Sequence, residues 1–227
     1  MNNSLNKKLL LLLLGLLTLT ASGRSLEPPA DLSESQMLNC EFRLRDLGYW
    51  IETIDGRPDD STLAAITAFR RINGYENLGP PNVTDLPALE KARPLMAMAD
   101  EGAHFEVDIR RQIIFFVDEN GRIGHILPVS TGSGQVFTEG EKKRRAVTPR
   151  GRFTVYRKMY GWREGPLGQM YYPNYIVGGV SVHGSSYVAA YPRTHGCIAV
   201  PMFAAEKLSE LMPVGTIVIV RRQSKSL

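Results

Sequence analysis

The texture of this chain changes near residue 104, and that change constrains the fold more than any other feature. Before it, apolar residues recur at helical spacing. After it, short β-branched and aromatic runs are punctuated by turn residues. Residues 33–47 carry Met37, Leu38, Phe42 and Leu44 among charges and stop at Gly48. Tyr49-Trp50-Ile51 and an Asp55-Gly56 turn lead to a second helix, opened by Asp60 or Ser61. Leu63, Ile66 and Phe69 give that helix one apolar face, and Asn73-Gly74 ends it. Pro80-Pro81-Asn82 precedes a third, short helix around residues 86–92. From Phe105 onward the pattern predicts strands over 113–117, 123–130, 151–157, 176–183 and 215–220, with a hairpin turn at 118–121. Residues 201–211 are the best helix in this half. The expected fold class is α+β: a three-helix unit over residues 33–93, then a mainly β unit over 104–222, built as a sandwich or open barrel. Pro94 and residues 96–103 read as the connector.

The first 23 residues have the layout of a secretory signal peptide. Lys7-Lys8 precede an apolar stretch over residues 9–21, and Ala21-Ser22-Gly23 offers small residues for cleavage. The stretch is too short for a comfortable membrane span, although an uncleaved anchor is the alternative reading. A cleaved leader predicts a mature chain that starts near Arg24, has no integral membrane span, and works in the periplasm or cell wall. Outside the cytoplasm two cysteines invite a disulfide. Pairing Cys40 with Cys197 would consume a thiol whose surroundings suit chemistry, so two free thiols are expected, with Cys40 buried in a helix. The formal net charge of +4 suits anionic or carboxylate-bearing partners. Lys142-Lys143-Arg144-Arg145 reads as a solvated loop and not a nucleic-acid site, since no aromatic residue is interleaved with it.

The chemistry concentrates in Thr194-His195-Gly196-Cys197, with Ser181-Val182-His183-Gly184 upstream. A thiol needs a base and hydrogen-bond donors to become a nucleophile near neutral pH. His183 sits on a predicted strand before a glycine, where backbone carbonyls can fix one imidazole tautomer. It is the candidate base. His195 then tunes the thiolate or touches substrate. The backbone N–H groups of Gly196 and Cys197 are the candidate oxyanion hole. A zinc site formed by Cys197, His183 and His195 is the competing use of the same residues, but no His-Glu-x-x-His pattern accompanies them. No metal or organic cofactor is expected. His104 and His125 fall outside any ligand pattern.

These residues resemble the signature of the L,D-transpeptidase catalytic domain, the YkuD family: a His-Gly pair, a variable loop, then Ser or Thr, His, Gly and Cys. Ser130-Thr131-Gly132 and Thr148-Pro149-Arg150-Gly151-Arg152-Phe153 agree with it, and the resemblance covers roughly residues 105–221. It implies a cysteine thioester enzyme acting on peptidoglycan stem peptides in cell wall biogenesis and cell shape. In that reading Cys197, His183, His195 and Gly196 are catalytic, while Thr194, Arg193, Gly184, Trp162 and Tyr172 bind substrate. Tyr160-Gly161-Trp162-Arg163 and Tyr171-Tyr172-Pro173 would form an aromatic lid, or else a packed strand connection. Two features depart from the family. The loop before Cys197 is short, and Ala199 stands where Arg or Asn is usual, leaving Arg193, Arg163 or Arg150 to compensate. The first unit resembles a small peptidoglycan-binding domain through Leu44-Arg45-Asp46-Leu47-Gly48-Tyr49, Asp55-Gly56 and Asn73-Gly74-Tyr75. That resemblance implies contact with glycan strands, and a purely supporting helical cap is the alternative. The rivals to transpeptidation are L,D-carboxypeptidase or amidase action, a non-catalytic peptidoglycan-binding protein, and a cysteine hydrolase of ordinary peptides.

Overall fold

The structure, a computed structural model, describes residues 29–75, 79–97 and 101–222. The leader expected over residues 1–23 lies outside them. Among the described residues no helix is long and apolar enough to cross a membrane.

Helix α1 spans Glu34–Asp46. Ser33 caps it in a full capping box with Gln36, which satisfies backbone donors that the first turn leaves orphaned. Its buried side includes Met37, Cys40 and Leu44, while Phe42 faces solvent beneath Arg45. Helix α2 spans Asp60–Ile72. Its cap is Asp59, one residue before the expected position, whose carboxylate accepts from the Thr62 N–H at 2.7 Å. Helix α3 spans Leu86–Lys91. Arg70 and Asp85, both buried, brace this unit with an ion pair of 2.6 Å.

The strands that follow are β1 (His104–Asp108), β2 (Ile113–Val117), β3 (Ile123–Pro128), β4 (Val136–Glu139), β5 (Lys142–Arg145), β6 (Gly151–Thr154), β7 (Arg157–Lys158), β8 (Trp162–Gly165), β9 (Gly168–Val177), β10 (Val180–Ser185) and β11 (Ile198–Pro201). Helix α4 (Met202–Glu210) and β12 (Ile217–Arg221) close the chain. One sheet has the order β3-β2-β1-β12-β6. A second has β11-β10-β9-β7, with β8 paired to β9, and β4-β5 is a separate hairpin. The basic run 142–145 is therefore strand β5, exposed throughout, and not a loop. Alternating charge on Glu139 and Arg144 across the hairpin pays the pairing back, with an ion pair of 2.7 Å.

The two larger sheets face each other across one apolar core. Phe105, Val107, Ile114, Leu127, Val218 and Val220 come from the first sheet, and Ile176, Val182, Ile198 and Val200 from the second. The fold is the sandwich alternative, with no closed barrel. Strand β2 explains how the helical unit attaches. Its sequence Ile-Ile-Phe-Phe-Val is apolar at every position, as a strand covered on both faces should be. Ile114 points into the sandwich, whereas Ile113, Phe115 and Val117 join Leu44, Ile66 and Phe69 in a second core. Trp50 crosses the boundary into the sandwich core, and its backbone N–H donates to the Ile126 carbonyl at 3.2 Å. The helical unit and the sheet thus share buried surface.

Candidate active site

The site grows from the parallel pairing of β10 and β11, in which Val182 faces Ile198 and His183 faces Ala199. Side chains alternate along a strand. Val182, Ile198 and Val200 enter the core. Their neighbours His183, Cys197 and Ala199 line the opposite side, a cleft of about 650 Å³. Gly184 falls on the core side. A Cβ there would stand 2.5 Å from the Ala205 Cβ of α4, so its lack of a side chain serves helix packing, and Gly184 does not line the cleft.

The segment leading to Cys197 is anchored at many points. Ser130 and Ala199 exchange backbone hydrogen bonds of 3.0 and 2.9 Å, joining the end of β3 to β11. The Thr194 N–H donates to the Thr131 carbonyl at 2.9 Å. The Thr194 hydroxyl donates to the Cys197 carbonyl at 2.6 Å and accepts from the Gly196 N–H at 3.1 Å. The Thr148 hydroxyl donates to the Gly196 carbonyl at 2.9 Å. Gly196 has φ +138°, and a Cβ would meet the Val147 carbonyl oxygen at 3.0 Å, so only glycine suits this turn. Thr194 acts here as a brace beneath the nucleophile's backbone, and the Gly196 N–H is already engaged by it.

His183 is buried, and its Nδ1 lies 3.0 Å from the Gly184 carbonyl oxygen. A carbonyl only accepts, so Nδ1 carries the proton and Nε2 keeps its lone pair. Burial lowers the imidazole pKa below its ordinary value, and the Gly184 carbonyl opposes that shift. Cys197 is half-buried. Burial raises its thiol pKa, while the Ser181 backbone and hydroxyl lower it. The Ser181 hydroxyl lies 3.8 Å from the sulfur and can donate to it. Burial thus works against the charged form of both groups, which line one cleft. Ser181 was visible as the residue two before His183, on the same strand face, but residue type alone assigned it no role.

The other expected residues separate into two groups. Arg193, Thr194 and His195 line the cleft, with His195 packed on Phe137 of β4 at a ring distance of 4.6 Å. Trp162 and Tyr172 do not line it. Trp162 packs on Tyr171 at 5.0 Å, and the Tyr172 hydroxyl donates to Glu206 at 2.6 Å, which pushes its phenol up to about 12. Contacts along β8 and β9 hold these rings on the sheet, as a packed strand connection would. The cleft wall is supplied instead by the β8–β9 hairpin tip, residues 165–170. Arg150 and Arg163 also stand outside. Arg144 and Arg145 of β5, on the local β4–β5 hairpin, line the cleft and were missed. Both cysteines are free, Cys40 buried in α1 as expected. Among the described residues no three His, Cys, Asp or Glu side chains gather as a metal set.

The family profile of the L,D-transpeptidase catalytic domain matches residues 102–220, more than half of the chain. The chain belongs to the L,D-transpeptidase (YkuD) family. An L,D-transpeptidase from Xylanimonas cellulosilytica, solved over its residues 123–326, is 35% identical, with a TM-score of 0.77 over 86% of this chain and 100% of that one. An L,D-transpeptidase from Stackebrandtia nassauensis is 21% identical over 88% of this chain and 97% of its own, with a TM-score of 0.50. That second likeness shows the fold alone. No curated protein matches the chain. The family profile places Cys197, His183 and the cleft inside the L,D-transpeptidase domain, while α1–α3 precede it.

Proposed function

We propose that this protein is an exported L,D-transpeptidase that acts on peptidoglycan stem peptides through a thioester on Cys197. The observation that carries the reading is the placement of Cys197 and His183 on one cleft, with the His183 tautomer fixed by Gly184 so that Nε2 is the basic nitrogen.

In the acylation step His183 Nε2 takes the Cys197 proton as the sulfur attacks the carbonyl carbon of the donor stem. The carbon–nitrogen bond then breaks, and His183 returns that proton to the departing amine. In the second step an acceptor amine attacks the thioester carbonyl and gives a proton to His183. The carbon–sulfur bond breaks and the thiol is restored. The Cys197 N–H is assigned to the developing oxyanion. Gly196 contributes the turn that presents this N–H, its own being shared with Thr194. Arg145 and Arg193 give the cleft cationic groups suited to a donor rich in carboxylates and in place of the one that Ala199 lacks, while Arg144 is already paired with Glu139 of the same lining. His195, exposed beside Phe137, is assigned to substrate contact. The activity requires no metal or organic cofactor, and the basic N-terminal leader supports action in the periplasm or wall.

Incubation with defined muropeptides, read by mass spectrometry, tests the reading. Cross-linked or amine-exchanged products support transpeptidation. Products trimmed by water alone would make the protein a carboxypeptidase or amidase. Intact mass after carbapenem exposure tests the nucleophile, and a folded protein without a Cys197-dependent adduct would leave only a binding role.

A further inference from the structure

Arg71, near the end of α2, does something that the helical unit's own stability does not require. Its Nη1 donates to the Gln112 carbonyl at 2.6 Å and to the Val129 carbonyl at 3.1 Å, and its Nη2 donates to the Ala189 carbonyl at 3.3 Å. The three acceptors lie in three separate parts of the catalytic domain: the turn between β1 and β2, the chain leaving β3, and the loop between His183 and Cys197. Burial pulls the guanidinium down to about 10, and among the described residues no carboxylate pairs with it. A half-buried cation held only by neutral carbonyls is a costly arrangement, tolerated when the planar fork fixes geometry that a point charge cannot.

Each acceptor leads to the cleft. Ala189 is buried and itself lines the cleft, and its neighbours Ala190, Tyr191 and Pro192 line a second groove, which Arg71 also borders. The loop therefore contributes to both. Val129 precedes Ser130, which pairs with Ala199, accepts from the Arg193 N–H at 3.1 Å and donates to the Tyr191 carbonyl at 2.9 Å. Gln112, at φ +55°, uses its amide to hold both the N–H and the hydroxyl of Thr131 at 2.8 and 2.7 Å. Thr131 in turn receives the Thr194 N–H, and Thr194 braces Cys197.

We infer that Arg71 is a positioning residue through which the helical unit sets the wall of the active cleft and the seat of Cys197. The inference rests on the proposed acyl transfer for its kinetic meaning, while the geometry it predicts is readable from the thiol alone. In this reading the first unit works as part of the enzyme's frame, whether or not it also grips glycan.

The test compares full-length wild type with Arg71→Lys, Arg71→Met and a matched control, Arg43→Lys. Arg43 also forks onto two carbonyls, those of Leu89 and Ala92, but entirely within the helical unit. Two quantities are read: the pH profile of Cys197 alkylation by iodoacetamide, followed by peptide mass mapping, and kcat and KM for muropeptide transfer. Arg71→Lys should slow Cys197 alkylation and kcat by roughly ten- to a hundredfold and move the pH midpoint. It should do so while staying folded by circular dichroism. Arg43→Lys should lower Tm without moving either readout. A folded Arg71→Lys with the wild-type rate and midpoint overturns the inference, as does an equal loss in Arg43→Lys. If Arg71→Met fails to fold, Arg71→Lys still decides. If wild type transfers nothing to muropeptides yet the alkylation profiles differ as stated, the functional reading falls and the positioning role stands.

Discussion

The chain's two cysteines sit in settings that share burial and differ in everything that makes a thiol useful. Cys40 is 1% exposed on α1, where burial pushes its thiol up to about 12 and the nearby Asp85 and Glu41 carboxylates push the same way. Cys197 is also raised by burial, but the Ser181 backbone and hydroxyl oppose the shift, the sulfur borders a cleft, and a tautomer-fixed imidazole lines the same cleft. Burial alone therefore makes an inert thiol. Donors, a base and access to solvent convert the same atom into a nucleophile.

Substitution at the sulfurs breaks the comparison most directly. Cys197→Ala should abolish muropeptide transfer and the carbapenem adduct, a loss of roughly 10⁴-fold or more. Cys40→Ala should leave turnover alone and cost about 1 kcal/mol of stability by chemical denaturation. Equal losses from the two would mean that Cys197 is structural.

Removing the base comes next. His183→Ala should lower the acylation rate by roughly 10²–10⁴-fold, and His195→Ala by far less, in single-turnover mass measurements. The reverse order would move the base to His195. The pH dependence follows from the direction of the His183 shift. A lowered folded pKa means the neutral imidazole persists below the ordinary histidine value of about 6.5, so the acid limb of the rate profile should lie beneath it. The same shift contributes stability that is complete above the unfolded pKa and is lost as pH falls from there through the folded one. A wild-type acid limb above the ordinary histidine value contradicts the burial argument.

Ser181→Ala sharpens the contrast without destroying the site. Loss of the hydroxyl should raise the thiol pKa further, shift the alkylation midpoint upward and slow neutral-pH acylation by about tenfold. An unchanged midpoint would leave the backbone donor as the sole stabiliser. Smallest of all, Trp162→Ala should change kcat/KM by no more than about twofold, because the ring lies on Tyr171 away from the cleft. A large loss would restore the aromatic lid.

What the sequence disclosed and what it hid divide along a physical line. Local signals located α1–α4, the β2–β3 hairpin and the mainly β class, because caps, helical spacing and β-branched runs act over a few residues, while the choice of sandwich over open barrel needed the structure. Cys197 and His183 were legible from their paired motif, and the parallel pairing of β10 with β11 brings both to one cleft. Arg144 and Arg145 were not legible: strand β5 reads as a charged loop because both its faces are wet, leaving no alternation to see. Trp162 and Tyr172 gave a divided signal, since an aromatic run near a glycine suits a lid or a packed strand equally well, and neither lines the cleft. Arg71 gave no signal whatever, its meaning lying in three carbonyls 41, 58 and 118 residues away.

The doubly covered β2 strand has a practical corollary for anyone who trims this protein. A shortened version beginning at the connector would strip the cover from Ile113, Phe115, Val117, Ile123 and Ile126 together. Such a contiguous oily face invites self-association. A soluble fragment would call for polar replacements at those five sites, and an untreated one would be expected to precipitate before its chemistry was ever assayed.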